Sequence, residues 1–438
     1  MRTPGETLRV YAKKEIAVAA STVVTRPSLT QLKRQAKELL DGFAAGDDSA
    51  RQRVVRGLPR LSGDSTRIVG LQLQLADAQF VVARENGYDS WPKLKAYAES
   101  GQGGPTPFLR AVLAVVDGDI EGLQSMLTAD PALIHRCSPE AHRARLLHYI
   151  AANGVENHLQ RTPPNAAEVC RLLLKSGADV DSPCETYGGG PNQTTMNLLV
   201  SSLWPHRAGL QAKLVEVLLD AGAAIDGPMG DGAPLRTALQ HGYTDTARTL
   251  ERRGARVDAL DLAAGLGQVE ALDDLWDAAP VDMDDTRAGW QPGLGGRFQA
   301  FILACRNNQP EACLRLQVLG IDIDTHPADG GTGLHEAILW NHVRVVQALL
   351  AHGASTMIKH GRWQARALDF ASYNGRLACV QVLLDHGELS DQDTAADLEE
   401  SLVSAVSQDH LDVARILCTA GATRERALAR ARELGLED

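Results

Sequence analysis

Between Gly330 and Ala354 the apolar residues fall into two stripes. Leu334, Ala337 and Ile338 recur at helical spacing, and after a polar break Val343, Val346, Leu349 and Leu350 do so again. The pattern predicts two short helices joined by a tight turn, each with one apolar face. Gly353 follows the second stripe, where a residue able to take the left-handed conformation ends a helix and lets its last carbonyls be capped. Ala354 then lets the next turn pack close. A single pair of such helices cannot bury its own apolar faces, so the unit must recur and stack. The glycines that close successive units are Gly320, Gly353, Gly387 and Gly421, at intervals of 33, 34 and 34 residues. Upstream, Gly177, Gly222 and Gly254 each precede an alanine, at intervals of 45 and 32, and the longer interval predicts an insertion.

The stretch TGLHEAILWNHVRVVQALLAHGA resembles the ankyrin repeat. It matches that family's TPLHxA…GH…LLxxGA pattern at Thr332, Leu334, His335, Ala337, His342, Leu349, Leu350, Gly353 and Ala354, and departs from it at Gly333 (usually proline) and Asn341 (usually glycine). The resemblance implies an all-α solenoid of helix-turn-helix units with hairpin loops. Nine units are expected over 107–422, at about 108–138, 143–183, 194–227, 232–258, 259–282, 297–324, 330–356, 364–388 and 398–422. Long connections interrupt them at 158–168, 184–195, 202–211 and 289–298, and loops of that length are usually functional or disordered.

Ahead of the array, 28–100 reads as a small helical domain. Leu32, Leu39 and Leu40 alternate with basic residues, and the segment ends in LADAQFVVARENGYDSWPKLK, with Asp89 or Ser90 and Pro92 opening its last helix. It is similar to the helical segment that precedes ankyrin arrays in bacterial proteins, and its expected role is to cap the open end of the stack. Residues 1–27 lack a period and are expected to form a flexible leader. Gly101–Pro107 reads as a linker, and the charged stretch 423–438 is expected to close the far end.

A formal charge of −11 and a pI near 5.6 argue against nucleic-acid or anionic-membrane binding, both of which need a dense basic surface. No apolar run reaches the length that crosses a bilayer. Seven cysteines make an odd number without a CxxC pair. Five of them, all but Cys137 and Cys184, fall in apolar helical patterns, which reads as reduced core thiols in a cytoplasmic protein.

Candidate chemistry is sparse. His335 and His148 stand at the family's TPLH histidine, where the resemblance implies a hydrogen-bonded tie between turns. No HExxH and no short Cys/His spacing is present, so no metal or cofactor is expected. The glycine runs Tyr187–Gly190 and Gly293–Gly296 lack the GxxxxGK[ST] signature and read as hairpin tips. The resemblance also implies a concave groove lined by the residues just before each inter-helix glycine. By position these include Asn153, Ser202, Gln240, His241, Arg306, Asn307, Leu339, Trp340, Tyr373 and Asn374. Aromatics ringed by amides and hydroxyls suit an interface, so the expected function is non-catalytic binding of a protein or peptide. The alternative is a small-molecule or enzymatic pocket under the early insertions, drawn from Tyr149, Asn153, Glu156, Tyr187, Thr194, Thr195, Trp204 and His206, with Glu156 or His206 as base.

Overall fold

The computed structural model describes residues 28–47, 50–51, 53–54, 58, 71, 73–85, 88, 90–100, 106–186, 190–280, 296–327, 330–387, 393–423 and 425. The expected leader 1–27, most of the expected linker, Tyr187 with the two glycines after it, residues 281–295 and nearly all of the C-terminal stretch lie outside the described residues. The chain divides into two compact units, residues 1–221 and 222–438.

The first unit opens with α1 (Leu29–Ala44), α2 (Leu75–Glu85) and α3 (Trp91–Ser100). Ser28 caps α1 by accepting the Gln31 amide at 3.1 Å, and Leu32, Ala36 and Leu39 one turn apart put a single face inward. That face joins Val54, Val81, Val82 and Leu94 in a small core of its own. An ion pair at 2.9 Å ties Arg84 of α2 to Glu140 in the segment that follows.

Helix pairs begin with α4 (Pro107–Asp117) and α5 (Ile120–Ala129). Thr106 caps α4, Pro107 fills its first position, where the missing N–H costs nothing, and Gly118 ends it. The next inner element is a short 3-10 helix, Leu146–Ala151, partnered by α6 (Ala166–Lys175). The long interval between Gly177 and Gly222 holds two additions. One is an antiparallel hairpin of β1 (Cys184–Thr186) and β2 (Gly190–Gln193); the other is α8 (Leu203–Arg207), set between α7 (Thr195–Val200) and α9 (Gln211–Asp220).

The second unit holds six further pairs among the described residues: α10 (Ala233–Gln240) with α11 (Thr244–Arg252), α12 (Leu260–Leu266) with α13 (Val269–Trp276), α14 (Arg297–Arg306) with α15 (Pro310–Leu319), α16 (Gly333–Leu339) with α17 (Val343–Ala351), α18 (Ala367–Tyr373) with α19 (Leu377–His386), and α20 (Asp393–Ser407) with α21 (Leu411–Thr419). From α12 to α21 their apolar faces form one continuous core, from Leu260 to Ala422. Gly353 has φ +88°, the left-handed conformation expected of a closing glycine. Asn341 has φ +58°, so it does the work of the usual glycine; asparagine tolerates this region better than most residues.

Between pairs the core is supplemented by directional bonds. His335 Nδ1 takes hydrogen bonds from Thr332, and its Nε2–H donates to Ala365 O at 3.2 Å; His148 Nδ1 accepts from Arg145 N–H, and its Nε2–H donates to Ser182 O at 2.9 Å. Elsewhere in unit 2 arginine–carboxylate pairs bridge neighbouring inner helices: Arg236 to Asp261 at 2.8 Å, Arg306 to Glu336 at 3.0 Å and Arg366 to Asp397 at 2.5 Å.

The two buried histidines make stability pH-dependent. Burial pushes both imidazoles down from 6.5 to about 4. The unfolded chain takes up these protons near pH 6.5 and the folded chain only near 4. The stabilisation is therefore whole above pH 6.5 and is lost as the pH falls towards 4, by about 3 kcal/mol for each histidine. We expect the calorimetric unfolding temperature to fall steeply from pH 6.5 to 4.5, and the slope to flatten in His335→Gln. An unchanged slope in that variant would show that His335 does not carry the effect.

All seven cysteines are unpaired. Their burial departs from the helical pattern at two positions. Cys184 is buried on β1, where its thiol points at Gln193 O, and Cys418 is exposed because α21 turns it outward.

Candidate functional site

Four of the six pairs in unit 2 end their inner helix in the same way, with one last helical residue and one capping residue before the turn. These are Gln240 and His241 on α10, Arg306 and Asn307 on α14, Leu339 and Trp340 on α16, and Tyr373 and Asn374 on α18. Equivalent positions therefore point the same way from successive helices, and their chemistry differs sharply.

Arg306 and Asn307 are interior residues, only 7% and 1% exposed, which corrects the expectation that both line an open groove. Asn307 donates to Leu239 O at 2.8 Å and to Leu303 O at 3.0 Å, and it accepts from the Thr244 hydroxyl at 3.1 Å. Arg306 spends one nitrogen on Gln240 O at 2.5 Å and two on the Glu336 carboxylate at 3.1 and 3.0 Å. Its own carbonyl accepts from His342 Nε2 at 2.8 Å. Both side chains thus reach back to α10, past the intervening α12.

Between them α12, with the sequence LDLAAGL, carries Gly265 and the buried Leu266 at the equivalent positions. A Cβ on Gly265 would stand 3.0 Å from Leu239 Cδ1, and one on Gly267 would stand 2.3 Å from Gln309 Oε1. With both positions reduced to backbone, the turns on either side close over α12. Trp340 extends this closure from α16. A Cβ on Gly242 would lie 2.8, 2.9 and 3.0 Å from Trp340 Cζ3, Cε3 and Cη2, so the indole rests directly on that glycine. The Trp340 Nε1–H is buried and has no hydrogen-bond partner.

The remaining positions are less enclosed than Arg306 and Asn307. Leu339, Trp340, Tyr373 and Asn374 are half-buried on neighbouring helices, Gln240 is half-buried, and His241 is exposed with its ring stacked on Tyr243 at 5.5 Å. Asn374 holds its own helix end through Phe370 O at 2.8 Å.

In unit 1 Ser202 is likewise buried, with its hydroxyl donated to Ala152 O at 3.4 Å. Asn153 bonds Ser201 Oγ at 2.9 Å, tying the 3-10 helix to α7. Of the residues expected to form an alternative pocket, Tyr149 and Glu156 meet: the phenol donates to Glu156 Oε2 at 3.3 Å. A residue missed from the sequence completes the knot. His142, 1% exposed, puts Nε2 3.1 Å from the same carboxylate oxygen, while its Nδ1 accepts from Ala144 N–H. It sits in an irregular segment with no periodic or motif signal. Thr194 is used as the cap of α7 and Thr195 is enclosed behind it. Trp204 is half-buried on α8 and His206 stands exposed there. Tyr149 and the Thr194–Thr195 pair are thus interior, and Tyr187 is outside the described residues.

Among the described residues no three His, Cys, Asp or Glu side chains are grouped to hold a metal ion, and no helix is long and apolar enough to cross a membrane.

Residues 301–394 match the family model described as ankyrin repeats in three copies. Over these residues the chain is built of ankyrin repeats. A search of curated protein sequences returns no match. Among solved structures, the chain is similar to the crystal structure of the human ASB11 ankyrin repeat domain, with 19% identity over 63% of this chain and 96% of that one, at a TM-score of 0.34. Ankyrin repeats are in general protein-interaction modules, and His335, Thr332 and the closing glycines are the residues through which this chain builds them.

Proposed function

We propose that unit 2 binds a partner protein or peptide across the inner-helix ends of α16 and α18, with Leu339, Trp340, Tyr373 and Asn374 as the contact residues and Gln240 and His241 at the margin. The observation that carries this reading is the placing of half-buried aromatic and aliphatic side chains at equivalent ends of adjacent helices, over a floor fixed by the Arg306–Glu336 pair. Rigid aromatics held in this way lose little freedom when covered, and amides beside them supply directional bonds. Arg306, Asn307 and Ser202 serve as supports behind the surface. The binding role is non-catalytic, and seven unpaired thiols suit a reducing compartment such as the cytoplasm.

The test is capture from a cell extract with wild-type and Tyr373→Ala baits, followed by affinity measurement on the purified partner. Tyr373→Ala is expected to weaken binding at least tenfold, in line with a hot-spot aromatic, while Tm stays within about 2 °C. A partner that binds the variant as tightly as the wild type would remove this surface from the interface.

A further inference from the structure

An asparagine followed by glycine exposes its carboxamide to attack by the next backbone nitrogen, because glycine has no side chain to stand in the way. Among the described residues this step occurs at Asn153–Gly154 and at Asn374–Gly375, and the two are held differently. Gly375 N–H donates to Ser372 O at 3.2 Å and the Asn374 amide to Phe370 O at 2.8 Å, so nitrogen and carboxamide are each committed to the helix behind them. Gly154 N–H instead donates to Asn153 Oδ1 at 2.9 Å. Nitrogen and carboxamide are there in direct contact. Asn153 Nδ2 is fastened from the far side by Ser201 Oγ at 2.9 Å and Leu198 O at 3.3 Å, which keeps the group from turning away. The backbone on either side is left-handed, with φ +49° at Ala152 and +70° at Gly154.

We propose that Asn153–Gly154 is a site of self-modification, at which the carboxamide closes on the Gly154 nitrogen as a cyclic imide and reopens as aspartate or isoaspartate. Gly154 N bonds to Asn153 Cγ while its proton passes to Oδ1 along the hydrogen bond already made. That proton then moves to Nδ2, the Cγ–Nδ2 bond breaks and one ammonia leaves. One solvent water reopens the ring. Cleavage of the ring nitrogen from Cγ gives aspartate, and cleavage from the Asn153 backbone carbonyl carbon gives isoaspartate. Holding the reacting atoms together replaces the rotational search that a free chain must make. The product acts on the fold. Ammonia carries off the donor to Ser201 and Leu198, so the tie between the 3-10 helix and α7 is lost and a carboxylate is left facing the Leu198 carbonyl. Isoaspartate also adds a methylene to the backbone beside Gly154, where even a Cβ would stand 2.7 Å from Thr186 Cγ2. Unit 1 is therefore loosened with the age of the chain.

The two steps are compared within one wild-type chain, so no variant has to fold. The full chain is aged at neutral pH and body temperature and digested with trypsin at intervals, and peptides 146–161 and 367–376 are followed by mass spectrometry, with fragment ions placing the change at Asn153 or Asn374. Asn153 is expected to convert about tenfold faster than Asn374. A rate no greater than that of Asn374, or no conversion at either, overturns the proposal. The same chain unfolded in urea supplies the reference: the difference is expected to vanish there, and a preference for Asn153 that survives unfolding would overturn the folded geometry as its cause.

Discussion

Arg306→Ala is expected to lower the unfolding free energy by about 3–5 kcal/mol, more than any other substitution among the residues at the inner-helix ends. The two side chains alone are 9% and 13% exposed, so removal of the guanidinium leaves the Glu336 carboxylate enclosed without its cation. It also frees Gln240 O, which an Arg306 nitrogen satisfies from across α12. The loss is thus mostly the cost of what remains rather than the worth of the pair. Arg306→Met combined with Glu336→Leu should recover most of it, because two apolar groups of similar length need no partner. Urea unfolding of the two single variants and the double would give a coupling of about 1–3 kcal/mol. Strictly additive losses would mean that the two side chains act independently and that this floor is not a charge clamp.

Where the clamp sits was only half visible in the sequence. The repeat was plain because a helix pair must bury two stripes, so Leu334, Val346 and Leu349 recur at a spacing that no single globular core requires. The closing glycines and His335 were plain for the same kind of reason: each meets a local need of its own turn. The floor under Trp340 is a different matter. It depends on Gly242 and on the small residues of α12, whose contribution is the side chain they lack, and on how closely α10 and α14 then approach. Nothing local to Asn307 separates it from Asn374. Both are capping amides at the same register, and only the approach of α10 gives Asn307 the Leu239 carbonyl that draws it inward. His142 was invisible because it is held by loop geometry, without period or motif.

Gly242→Ala tests that closure from its floor. The residue has φ +66°, where an alanine costs about 1–2 kcal/mol, and the added methyl would meet Trp340 ring atoms at 2.8–3.0 Å, a further cost of about 1–3 kcal/mol. We expect a total loss of about 2–5 kcal/mol in urea unfolding. The two parts separate in a cycle with Trp340→Ala. That variant alone loses the packing of a half-buried indole, about 2–3 kcal/mol, and at the same time it clears the space that the Gly242 methyl needs. In the double variant the steric part vanishes and only the backbone part remains, so the two losses should sum to less than their separate values by about 1–3 kcal/mol. The backbone part has its own reference in Gly209→Ala, since Gly209 has the same φ of +66° and an added Cβ there would meet nothing within 4 Å. Full additivity of Gly242→Ala and Trp340→Ala would mean that the ring and the glycine do not touch, and would leave Trp340 free to move as an independent surface side chain.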